Sequence, residues 1–249
     1  MLLSNLVAVV YGAAGSVGSA VASAYAREGA IVHLVGRHIA TLEPRVRAIR
    51  DSGGSVHAAE VDVLDAGAVR AHAEAVGASA GIDIAFNAVA NDDVQGSDLT
   101  ELSPALVLRP VVKSVTAHLH IATAVARQMA PRRSGVILAM AGGREAIPAL
   151  GGAHIAWSAL AGLCRQLAAE LGPAGIRVAW ILSPGSPDPS SDSSSGSEGS
   201  SDDADAGQTL LGRRPSYGDV ANAAVFLSSP WARTMTATEL NVTGGAVVD

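Results

Sequence analysis

The chain has 249 residues, 49% of them apolar, with one cysteine and a formal net charge of −6. That length suits one large α/β core, and no stretch of about 18 apolar residues lacks a charge or turn former, so no membrane span is expected. The single cysteine, Cys164, excludes an internal disulfide and a multi-cysteine metal site; no metal site is expected, and a reducing cytoplasm fits.

In chain order, "MLLSNLVAVVYGAAG" has no basic leader and runs straight into a glycine loop, so Leu6–Tyr11 reads as a first strand, not a signal peptide. Gly12, Gly15 and Gly18 follow, with Ser16 and Val17 opening a helix over 17–28. Glycines there let the backbone approach a pyrophosphate, which the helix N-terminus stabilises with free N–H groups; an ordinary tight βα turn is the alternative. The second strand, Ile31–Val35, ends at Gly36 and Arg37, where an acid would hold a ribose 2′-hydroxyl. Arginine suits a 2′-phosphate and hence NADP(H), unless it is simply a solvated strand-end charge. A third strand, Ser55–Val61, leads into Asp62 and Val63, and a helix is expected over 66–78.

Ile82–Phe86 is the fourth strand, followed by Asn87 and then by Asp92, Asp93 and Gln95 at the edge where ligands bind in such sheets. A helix over 111–129 carries Ser114 and His118 on one face, spaced to act as donor and base, or else to sit at a surface or helix interface. Arg144 and Glu145 follow the fifth strand, Val136–Met140; the arginine is placed either to hold an anionic or enolic oxygen or to form a plain salt bridge. Helix 154–171 opens on His154 and Trp157, and the strand Ile176–Leu182 leads to Pro184 and Gly185. Residues 186–207 hold six acids and no base, which leaves the remainder of the chain neutral; this Ser/Asp-rich segment is expected to be a flexible lid. A helix over 217–228 and the strand Glu239–Val242 complete the pattern. No basic stripe marks nucleic acid or anionic lipid, so a small-molecule substrate is the expected partner. Strands alternating with helices predict one Rossmann-type domain over 1–249, a doubly wound parallel sheet of about seven strands in three α/β/α layers.

These motifs resemble the short-chain dehydrogenase/reductase family along nearly the whole chain. "YGAAGSVG" is similar to its glycine loop, "VDVLD" to the segment whose aspartate, here Asp62, meets the adenine, and "DIAFNAVA" to its fourth strand, retaining Asn87. "LAAELGPAGIRV", "SPG" and "LNVTGGAVVD" are family-like as well. The resemblance implies NADP(H)-dependent redox chemistry and assembly as a homo-dimer or homo-tetramer. It also implies a catalytic tyrosine with a lysine four residues later, a serine and an asparagine. Those roles align with Ala153, Trp157, Met140 and Ser114. Lys113 is the only lysine, and no Tyr-x-x-x-Lys spacing exists in the chain. Alanine carries no donating group, so the family's usual proton transfer is not expected here. Ser114, His118, His154 and Arg144 are the remaining catalytic candidates. Histidine is the side chain suited to proton transfer near neutrality, but His154 points about 100° away from Ala153, which also suits an exposed or interface histidine. Trp157 fills the space of the lysine, either obstructing a nicotinamide or offering a stacking surface. An oxidoreductase with a non-standard proton donor is the leading reading. A non-redox enzyme (dehydratase, cyclase or isomerase) and a non-catalytic nucleotide-binding subunit are the alternatives.

Overall fold

The computed structural model describes residues 1–183 and 209–248. Seven parallel strands lie in the order β3-β2-β1-β4-β5-β6-β7. They are β1 (Val7–Tyr11), β2 (Ile31–Gly36), β3 (Ser55–Glu60), β4 (Ile84–Asn87), β5 (Gly135–Ala141), β6 (Ile176–Leu182) and β7 (Thr238–Asn241). Continuous apolar runs such as "VAVVY" form strands because both faces of a parallel sheet are covered by helices. The register pairs Tyr11 with Val35 on one side and with Asn87 on the other. The sequence reading placed all seven strands to within two residues of these bounds.

Two apolar cores result, one on each face. Val9, Tyr11, Ile121, Val125 and Trp180 belong to the first, which is covered by α3 (Ala66–Ser79), α4 (Pro104–Met129) and α5 (Ala153–Leu171). Val10, Tyr25, Leu34, Phe86 and Val220 belong to the second, under α1 (Ser16–Arg27), α2 (Ile39–Asp51) and α6 (Tyr217–Ser228).

Two helices differ from the sequence reading. α2 is not among the clearest helical stretches in the sequence, because Pro44 and the charges around it hide the spacing of its two buried anchors, Leu42 and Ile49. α4 starts at Pro104 and not at 111. Ser103 caps it, its Oγ accepting from Leu106 N at 3.4 Å, and Pro104 occupies the first turn, where no N–H is needed. The helix then runs through Pro110, which is buried against Gly152; a Cβ on that glycine would lie 2.7 Å from the proline ring. Tertiary packing here outweighs a proline's local cost. Among the described residues no helix is long and apolar enough to cross a membrane. Pro184, Gly185 and the expected lid at 186–207 lie outside the described residues.

Candidate active site

Strand order reverses between β1 and β4, and a crevice at such a switch point receives ligands in doubly wound sheets. Two hollows of about 350 and 310 Å³ form one groove there, sharing Gly15, Ala88, Val89, Ala90 and Lys113. Each falls near the lower end of ligand-pocket sizes.

The first hollow is built from the ends of β1, β2 and β3. Gly12 has φ +78°, and a Cβ on it would lie 2.6 Å from Ala88 O. A Cβ on Gly18 would lie 2.4 Å from Gly12 O. Both glycines are therefore required by close backbone approach. Gly15 caps α1 without a side chain, so the amides of Ser16, Val17 and Gly18 line the groove with no side-chain cap over them. That arrangement suits a pyrophosphate. Arg37, exposed at the end of β2, lines the same hollow with Asp62 and Val63. One Asp62 oxygen accepts Leu64 N at 2.9 Å. The cradle, the unblocked helix end and a base at the β2 edge fit a dinucleotide, its adenosine towards Arg37 and its other half towards the second hollow.

The second hollow extends over β4 and β5 to α4, α5 and α6. Asn87 is 6% exposed, and its Oδ1 accepts Val89 N at 3.1 Å. The amide nitrogen therefore faces His118 and donates to Nδ1 at 3.3 Å, which leaves the ring proton on Nε2, 3.5 Å from Cys164 Sγ. Burial pushes His118 down to about 4 and the Cys164 thiol up to about 12. His118 thus sits neutral behind Asn87 and does not line the hollow, whereas Ser114 does. Ala153 is fully buried. Trp157 lines the hollow with its indole over Gly142, where a Cβ would lie 2.2 Å from the ring. Met140, Ala141 and Gly142, at the end of β5, bring no hydroxyl to it.

His154 and Arg144 line a separate hollow of about 270 Å³ on the other side of Trp157. Arg144 is ion-paired with Glu239 on β7, which also accepts Trp180 Nε1 at 2.5 Å. The structure therefore brings Ser114 to the groove and leaves the other three catalytic candidates outside its walls. Lys113 and Tyr217 line the groove and were not among the residues the sequence reading assigned to it. Lys113 precedes Ser114 and is ion-paired with Asp92. Tyr217 opens α6, where a capping box between Ser216 and Asp219 fixes the helix start at the ligand edge of the sheet. The Ser-x-x-Asp spacing was a usable signal for that turn. Among the described residues no group of His, Cys, Asp and Glu is placed to hold a metal ion.

A family model described as enoyl-(acyl carrier protein) reductase matches residues 12–247. The chain is 31% identical to D-threitol dehydrogenase of Mycolicibacterium smegmatis over 259 residues, covering 99% of this chain and 94% of that one. It is 30% identical to galactitol 2-dehydrogenase (L-tagatose-forming) of Cereibacter sphaeroides, with 99% and 96% covered. The fold superposes on that of NAD+-bound xylitol dehydrogenase with a TM-score of 0.85 at 23% identity, over 98% of this chain and 100% of the other. Topology, glycine cradle and relatives agree: the chain belongs to the short-chain dehydrogenase/reductase family of oxidoreductases.

Proposed function

We propose that this protein is an NADP(H)-dependent oxidoreductase that interconverts a small polyhydroxylated alcohol and its carbonyl form, with a proton donor other than the family's tyrosine–lysine pair. The observation that carries the cofactor choice is Arg37, which lines the adenosine hollow at the end of β2 where a hydroxyl-binding acid would stand. The substrate class rests on the polyol names of the two relatives.

When bound, the cofactor supplies or accepts the hydride. The chain's own residues do the rest. The first amides of α1 hold the pyrophosphate, and Asn87, braced from behind by His118, keeps its place at the groove wall. Reduction also requires a proton at the carbonyl oxygen, and oxidation requires its removal. Of the three tyrosines, Tyr11 and Tyr25 are fully buried and Tyr217 lines the hollow. Its phenol is the donor of choice, with the Ser114 hydroxyl beside the same space.

The test combines binding and turnover. NADPH is expected to bind more tightly than NADH, with Arg37→Ala removing most of the preference, about ten- to hundredfold for a charge-assisted phosphate contact. Oxidation of a tetritol and hexitol panel with NADP+, followed at 340 nm, is expected to fall with Tyr217→Phe while NADPH affinity stays. Equal affinity for the two cofactors overturns the cofactor choice. Unchanged turnover in Tyr217→Phe removes Tyr217 as the donor.

The seat of Trp157 over Gly142, beside a buried Ala153, favours a second reading: a nucleotide-binding protein with a non-redox reaction or none. Tight NADPH binding without hydride transfer to or from any panel member would select it.

A further inference from the structure

One ion pair in the groove has no part in the chemistry above. Lys113, the chain's only lysine, is bonded through Nζ to the Asp92 carboxylate. The lysine side chain is 13% exposed and that of Asp92 is 52% exposed, so the ammonium is the inner partner. Lys113 lines both halves of the groove, and Asp92 lines the adenosine half together with Arg37.

The loop carrying Asp92 is strapped to α4 independently of that ion pair. Asp92 has φ +59°, and its carbonyl oxygen accepts Arg109 Nε at 3.1 Å and Nη2 at 2.8 Å, one helical turn before Lys113. The carboxylate is therefore free to change partner without releasing the backbone. Lys113 foremost, then Arg37 and Arg109, hold the Asp92 carboxyl below the usual carboxylate range against its own desolvation.

The adenosine hollow thus contains two cations, Arg37 and Lys113, and two carboxylates, Asp62 and Asp92. Asp62 commits one oxygen to Leu64 N. A phosphate arriving at Arg37 gains from one cation and is repelled by the exposed Asp92. We propose that Asp92 is a resident counter-ion which a phosphorylated adenosine displaces: Lys113 joins Arg37 on the phosphate, and Asp92 turns to solvent. Lys113 is then a second residue that selects the phosphorylated dinucleotide. This inference rests on the NADP(H) reading, and its test separates the two.

Adenosine 2′,5′-bisphosphate and 5′-AMP are titrated calorimetrically into the full-length protein, so that neither hydride transfer nor the space beside Trp157 enters the readout. Lys113→Gln is expected to weaken the bisphosphate about tenfold and 5′-AMP by less than about twofold. Lys113→Arg keeps the charge and most of the affinity. Asp92→Asn, which removes the competing carboxylate but keeps the Arg109 strap, is expected to tighten the bisphosphate several-fold. Thermal melts confirm that each variant is folded. Equal weakening of both ligands by Lys113→Gln, or no weakening of either, overturns the proposal. If wild type does not distinguish the two ligands, the NADP(H) reading falls and this inference with it. If Arg37→Ala abolishes the distinction and Lys113→Gln leaves it intact, the NADP(H) reading stands and this inference alone fails.

Discussion

His118 offers a perturbation whose size follows from the structure. Its ring is fully buried, accepts from Asn87 through Nδ1 and faces Cys164 through Nε2. Burial lowers it from 6.5 to about 4. Between those values the unfolded chain binds a proton that the folded chain refuses, so stability falls as pH falls through the window and is flat above it. Every tenfold rise in proton concentration inside that window costs the fold about 1.4 kcal/mol, which gives about 2 kcal/mol of lost stability between pH 7 and pH 5 from this residue. His118→Asn keeps an acceptor near the Nδ1 position and cannot titrate. The variant is expected to be less stable at pH 7 because of the cavity it leaves. The wild-type advantage should then shrink by about 2 kcal/mol by pH 5. Guanidinium unfolding of both proteins at several pH values measures this directly. His33 is also lowered to about 4, but it contributes to both proteins and cancels in the difference. Parallel stability curves would refute the argument and would mean that His118 is solvated or protonated in the folded state.

Gly18→Ala should abolish dinucleotide binding with the sheet intact, since the new methyl lies 2.4 Å from Gly12 O; calorimetry and a melt separate the two effects. Gly142→Ala drives a methyl into the Trp157 ring and should cost about 1–3 kcal/mol, with a change in indole fluorescence, whereas adding Trp157→Ala should make the double variant less than additively destabilised. Ala153→Tyr alone should be destabilised and without new activity, because the site is fully buried and an unassisted phenol has a pKa near 10. Paired with Trp157→Lys, which vacates volume and supplies a cation, it should gain NADPH-dependent ketone reduction over wild type, read at 340 nm with product analysis.

The parts of this molecule that were legible in the sequence are those encoded by neighbours along the chain. The strands β1, β2, β4, β5 and β6 are largely apolar runs, so most of the sheet could be read in order. The glycine loop, Arg37 and Asp62 lie within a few residues of a strand end, and strand ends in a parallel sheet converge on one edge. Elements with conflicting local signals were read poorly: Pro44 hid α2, and Pro110 hid the first turns of α4. The groove's interior was harder still. A helical spacing put Ser114 and His118 on one face but could not say that His118 would be buried against Asn87, 31 residues away, and Cys164, 46 residues away. Lys113 and Tyr217 enter the groove from different helices, and no spacing between them exists to be recognised.

Local encoding also bears on what can change in such a site. Trp157 holds its indole in a seat that requires a glycine at 142, so tryptophan and glycine form one packing unit across α5 and β5. A Trp157→Lys change would leave a space over Gly142 for the new side chain or water to fill. Lys113 and Tyr217, by contrast, approach from α4 and α6, whose starts are fixed by their own caps at Ser103 and Ser216. Protic groups brought in by those two helices can be gained or lost without disturbing the α5–β5 contact. Apolar packing at the end of α5 is therefore compatible with a polar groove a few ångströms away, and activity is better sought by varying α4 and α6 than by treating Trp157 as the only determinant.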